Sequence, residues 1–251
     1  MTVRTLCSAL ALGAIACGSP TAPAPPEQHT LGREIETSAF TFRFSADDSI
    51  DVAWQEAYHQ WAIAALGVTV PRRIVYNKYL NRAHMGTQTG NANTNAYADP
   101  DRFEIHTIWS RDNHEVVHLY SLSWGRPVAL WTEGLAVAYQ VDPVAGDVEP
   151  RWNRIPLHDH ARQFLTQGRL IPLADLLTTR GFRQFDPNVT YPQAGSFMRF
   201  LIETCGLDGI RRLYGTGHVD DGATSVREQF ADACGRTVDQ VEAAWHELLV
   251  R

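Results

Sequence analysis

His114-Glu115-Val116-Val117-His118 is the stretch around which the rest of the chain is read, and it has the form H-E-x-x-H. On a helix, residues four apart lie on one face. His114 and His118 can therefore share one metal ion, with Glu115 beside that face. Zinc takes ligands of this kind, and a catalytic zinc keeps a position open for water, whose proton a neighbouring carboxylate can accept. Two histidines on a solvated helix face are the alternative. The neighbours argue against it, because Val116, Val117, Leu119, Tyr120 and Leu122 make this helix mostly buried. Unpartnered histidines in such a place are costly.

A zinc site needs a further ligand. Ala129-Leu130-Trp131-Thr132-Glu133-Gly134-Leu135-Ala136 follows, with Glu133 lying 15 positions after His118. Gly125 and Pro127 interrupt the chain between them, which predicts two helices joined by a short loop. Glu133, near the start of the second helix, can then face the two histidines.

H-E-x-x-H followed by W-x-E-G-x-A resembles the gluzincin metallopeptidases, in particular the bacterial peptidase MA-like domains. The resemblance implies one zinc ion held by His114, His118 and Glu133, with Glu115 as general base. It also implies a zincin-like fold in which the strand before the zinc helix pairs with substrate backbone. Tyr191, in Tyr191-Pro192-Gln193-Ala194, resembles the Y-x-x-A segment of those domains and is expected to open a helix and stabilise the oxyanion; an aromatic packing residue at a helix start is the alternative. Thr132 stands where the aminopeptidase branch has Asn, and no G-x-M-E-N motif precedes the zinc motif. The metzincin pattern fails at Ser121 and Trp124. The expected activity is that of a zinc-dependent peptidase, acting within chains on a peptide or protein substrate. A non-catalytic envelope binding protein and a zinc hydrolase acting on another bond are the competing readings.

The 251 residues suit one catalytic domain, and a formal net charge of −6 suggests no nucleic-acid partner. The N-terminus reads as an export signal. Arg4 is followed by a short apolar run from Leu6 to Ala16, too short to span a bilayer. Ala14-Ile15-Ala16-Cys17-Gly18 resembles a bacterial lipobox, so residues 1–16 are expected to be removed and Cys17 to carry lipid. Residues 17–31, with Pro20, Pro23, Pro25 and Pro26, form a tether, and residues 32–251 form the peptidase domain. The protein is thus expected to be exported and attached to the cell-envelope membrane through its lipid. Cys205 and Cys234 remain as an even pair in an oxidising compartment, each before a glycine that reads as a helix C-cap. A bridge between them would contribute about 3–4 kcal/mol in the chain-entropy model; two free buried thiols are the alternative.

Along the chain, residues 36–44 alternate, with Phe40, Phe42 and Phe44 on one face, and read as a strand. Asp47 and Asp48 offer a start for a helix carrying Ile50, Trp54, Ala57, Trp61 and Ala64, which Gly67 ends; His59 reads as a surface or edge histidine. Residues 74–80, 96–98 and 103–108 read as strands, and 81–95 as a loop or frayed helix. His84 and His106 read as structural, and His158 and His160, two apart, do not make a second metal site. Ala194, Phe197, Met198 and Leu201 mark a buried helix, and Thr237 with Gln240 matches a capping box before a helix whose core face is Val238, Val241, Trp245 and Leu248. Strands come early and helices late. That is the order of an α+β fold: a small N-terminal sheet lobe, the zinc helix, and a mostly helical C-terminal lobe.

Overall fold

The computed structural model describes residues 31–251. The expected signal peptide, Cys17 and the expected tether as far as residue 30 lie outside the described residues. Residues 36–44 are not one strand but the second half of a hairpin. Arg33–Glu36 (β1) and Phe40–Phe44 (β2) pair antiparallel. Thr37 makes the turn: its hydroxyl oxygen accepts from the Phe40 N–H at 3.0 Å, and its own N–H bonds the Phe40 carbonyl at 2.9 Å. Phe40, Phe42 and Phe44 are buried, as their alternation predicts.

Helix Val52–Leu66 (α1) starts from Asp51 rather than from Asp47 or Asp48. The Asp51 carboxylate accepts from the Trp54 N–H at 3.1 Å, while Asp48 is drawn away to the buried ammonium of Lys78. Gly67 closes α1 in a left-handed conformation. Ile74–Lys78 (β3) runs parallel to β2. The stretch read as a loop or frayed helix holds a true helix, Arg82–Thr89 (α2), because the Asn81 side chain caps it at the His84 N–H, 2.9 Å away. Ala96–Asp99 (β4) and Glu104–Thr107 (β5) pair antiparallel, and β5 lies parallel to β3. The strand order β1-β2-β3-β5-β4 leaves β4 as one edge of the sheet.

Helix Glu115–Tyr120 (α3) follows, then Ala129–Ala138 (α4). In the loop between them Gly125 has φ 143°, and a Cβ there would lie 2.2 Å from the Tyr214 carbonyl oxygen, so only glycine fits. Beyond α4 the chain is helical apart from a two-stranded ribbon, Arg151–Trp152 (β6) with Ile155–Pro156 (β7). The helices are Leu157–Thr166 (α5), Leu173–Leu176 (α6), Thr179–Arg183 (α7), Pro187–Thr216 (α8, kinked at Gly206), Ala223–Cys234 (α9) and Val238–Leu249 (α10). The fold is mixed α+β, with its small five-stranded sheet entirely before α3. Among the described residues no helix is long and apolar enough to cross a membrane.

Local signals hold for α10 and for the buried face of α8, but Gly206, expected to cap a helix end, lies at a kink inside α8. The capping box at Thr237 and Gln240 is formed, and the core face of α10 is Val238, Val241, Trp245 and Leu249, one residue beyond the expected Leu248. Ala194, Phe197, Met198 and Leu201 are buried on α8, which packs along α4 through the core. Tyr191 does not open that helix. Asp186 caps it, accepting from the Asn188 N–H at 2.9 Å, and Pro187 takes the first position, where its missing N–H costs nothing. Tyr191 therefore sits at the end of the first turn.

Candidate metal centre

The start of α3 is fixed before any histidine side chain is placed. Asp112 Oδ1 accepts from the His114 N–H at 3.1 Å and from the Glu115 N–H at 2.8 Å, which satisfies two free donors of the first turn. Gln55 of α1 holds Asp112 in turn. Its amide donates to the Asp112 carbonyl at 2.9 Å and accepts from the Asp112 N–H at 3.0 Å, and Gln55 is fully buried. His59, one turn further along α1, is buried rather than at the surface. Its Nδ1 pairs with the Tyr120 hydroxyl at 3.0 Å, tying the other end of α3 to α1. Beyond Tyr120 the helix tightens into a 3₁₀ turn at Ser121–Ser123, where the Ser121 hydroxyl bonds back to the Val117 carbonyl at 3.0 Å.

On this frame the histidines and Glu133 converge. Ligand atoms of His114, His118 and Glu133 all lie within 4.8 Å of one another. Glu133 Oε2 is 3.1 Å from His114 Nε2 and 3.5 Å from His118 Nε2. Glu133 is buried in the middle of α4, not near its start, and its carboxylate is matched to the two imidazoles. Burial pushes its pKa up, but the charge of His118 and hydrogen bonds from both histidines outweigh this and hold it well below the usual carboxylate range. For His114, burial acts downward, and the hydrogen bond to Glu133 and the charge of Glu115 leave the net shift upward. Two imidazole nitrogens and one carboxylate oxygen on converging side chains are the donor set of a catalytic zinc site, so the residues fit that ion.

Glu115 stands beside this group, its Oε2 4.0 Å from His118 Nε2. Burial raises its pKa to about 8, with Asp112 and Glu133 adding to the shift, against His114 and the Ala98 N–H of β4, which bonds the carboxylate. Opposite lies Tyr191, whose ring faces that of His114 with centroids 6.0 Å apart. The Tyr191 phenol stays protonated: burial and the charge of Glu133 raise its pKa, against the opposing effect of Arg183. The four residues of the two motifs, with Tyr191 and with Ala96, Tyr97 and Ala98 of β4, line one cleft of about 940 Å³.

Other residues fall where the sequence placed them or away from the site. His158 bonds the Ser196 hydroxyl at 2.8 Å and His160 the Trp152 carbonyl at 2.8 Å, so neither joins a metal cluster. His106 stacks on Tyr97 and bonds the Tyr79 hydroxyl at 2.8 Å. Cys205, at the α8 kink, and Cys234, at the end of α9, are thiols in hydrogen-bond contact; that contact lowers the Cys205 pKa to about 7. Sequence reasoning missed Gln55, Asp112 and Arg183. Asp112 carried a readable signal, an Asp just before an apolar helix; the other two carried none, since their partners are distant in the chain. No protein-family model matches the chain, and a search among curated proteins returns no match.

Proposed function

We propose that the chain is a zinc-dependent peptidase of the gluzincin type, with a zincin-like fold, cleaving within a peptide or protein substrate. The observation that carries this reading is the convergence of His114, His118 and Glu133 with Glu115 beside them, in a cleft bordered by an edge strand. His114, His118 and Glu133 would hold the ion. Zinc supplies a Lewis acid there, one that makes water acidic and polarises a carbonyl.

The remaining steps belong to the side chains. Glu115 takes the proton from the attacking water and passes it to the leaving nitrogen as the C–N bond breaks. The Tyr191 O–H donates to the carbonyl oxygen as it gains negative charge. β4 borders the cleft as an edge strand, along which an extended substrate would lie. The proposed setting, outside the cytoplasm on a lipid carried by Cys17, rests on the N-terminal sequence. Glu115 beside a complete ligand set weighs against a non-catalytic binding module, which has no need of a base. A zinc hydrolase acting on another bond would share every group but the substrate.

Metal analysis of the purified protein and a peptide-library digest with and without chelator test the reading together. Glu115→Gln should keep stoichiometric zinc and lower hydrolysis by about 10²–10⁴-fold. Glu133→Ala and His118→Ala should lose activity through losing zinc. A parent that takes up no zinc, or a Glu115→Gln protein as active as the parent, ends the peptidase reading.

A further inference from the structure

Arg183 bonds both sides of the cleft. Its Nη2 donates to Glu133 Oε1 at 2.6 Å, and its Nη1 donates to the Tyr191 hydroxyl oxygen at 3.0 Å. Glu133 is thereby divided, one oxygen to the guanidinium and the other, Oε2, toward the two imidazoles. Tyr191 is used as an acceptor, and among the described residues no hydrogen bond takes its own proton. That proton is free for a group in the cleft.

The docking of α7 on α4 explains why the arginine arrives there. The Thr179 hydroxyl oxygen accepts from the Ala129 N–H at 3.2 Å, capping the start of α4, and its proton goes to the Val219 carbonyl at 2.6 Å. Arg183 is four residues after Thr179, and Glu133 is four residues after Ala129. One helical turn on each helix therefore separates the two contacts, and together they fix the register of α7 on α4. The short helix is itself held. Thr178 caps it at the Gly181 N–H, 2.9 Å away, and Phe182 is buried with its ring centroid 5.6 Å from that of Tyr191. The guanidinium reaches the cleft from an anchored segment, although its side chain is 55% exposed.

We propose that Arg183 is a positioning residue of the metal centre, holding Glu133 so that Oε2 is the oxygen offered to the ion and leaving the Tyr191 proton directed at the substrate. This rests on the metal-centre reading above. Arginine suits the task because its planar fork reaches two acceptors at once, whereas lysine is a point charge that serves one. Groups that orient a ligand typically govern metal affinity about 10–100-fold.

The test is zinc affinity of the full chain, measured by competition with a chromophoric chelator, alongside kcat and KM on a peptide from the library digest. Arg183→Gln should bind zinc about 10–100-fold more weakly with its helical circular dichroism unchanged. Arg183→Lys should recover most of that affinity, because a cation again faces Glu133. It should not recover kcat, because Tyr191 has lost its partner. Parent-like zinc affinity in a folded Arg183→Gln protein overturns the proposal, as does an Arg183→Lys protein with parent-like kcat. If Arg183→Gln loses its helical signal, Arg183→Lys decides alone by the same split. A parent that binds no zinc overturns the metal-centre reading and this one with it; parent-like affinity in Arg183→Gln overturns this one only.

Discussion

Gly195→Ala puts a methyl group where α8 touches α4. A Cβ at that position would lie 2.4 Å from Val137 Cγ1, 2.9 Å from Val137 Cβ and 2.9 Å from Leu157 Cδ1. Leu157 can swing its terminal methyl aside. Val137 cannot, because a β-branched side chain on a helix keeps essentially one rotamer and this one is fully buried. Overpacking of this kind costs about 1–3 kcal/mol. Alanine returns about 1 kcal/mol over glycine inside a helix. The parent should therefore lose on the order of 1 kcal/mol of stability by urea unfolding. In a Val137→Ala background the 2.4 Å contact with Cγ1 is gone while Cβ still stands at 2.9 Å, so the same change should cost less than it does in the parent. The difference in cost between the two backgrounds is the measurement. Tyr191 lies one turn before Gly195, and Glu133 one turn before Val137. Spreading α4 from α8 there also parts Tyr191 from the Glu133–Arg183 pair, and turnover should fall with the stability. If Gly195→Ala costs the parent no more than it costs the Val137→Ala protein, the close approach of these helices does not set their spacing.

Tyr191→Phe should lower kcat while leaving zinc content unchanged; unchanged turnover on an active enzyme would remove the phenol from the chemistry. Burial lowers the pKa of His59 and of His106, outweighing nearby carboxylates that act the other way. Both resist protonation in the folded protein, so their contribution to stability is present above the ordinary value of 6.5 and is lost as the pH falls below it. Unfolding curves across that range check this, and His59→Gln should flatten the dependence. A mass map of non-reduced peptides should show Cys205 joined to Cys234 in protein recovered from an oxidising compartment, and two free thiols would refute the bridge. Mass spectrometry of the membrane fraction should find Cys17 as a lipidated N-terminus, and a soluble protein beginning elsewhere would refute it.

The sequence by itself determined what has a local cause. Four-residue spacing places His114 and His118 on one face, Gly67 and Gly235 end their helices in the left-handed region, and Thr237 with Gln240 closes a capping box, because each partner lies within a turn. Alternation found β2 and apolar periodicity the buried face of α8 for the same reason. What the tertiary structure decided involves pairs far apart in the chain. Periodicity of apolar residues is blind to polar ones on a buried stripe, so His59 passed for a surface residue and Gln55 went unremarked, although their partners Tyr120 and Asp112 lie 61 and 57 residues away. Asp51 takes the helix start, while the carboxylate of Asp48 pairs with Lys78, 30 residues on. Glu133 was legible as a candidate from its motif. That its two oxygens are shared between the histidines and Arg183, 50 residues further on, depends on how α7 registers on α4. No local pattern carries that information, because a register between helices is set by packing and by the caps that cross between them.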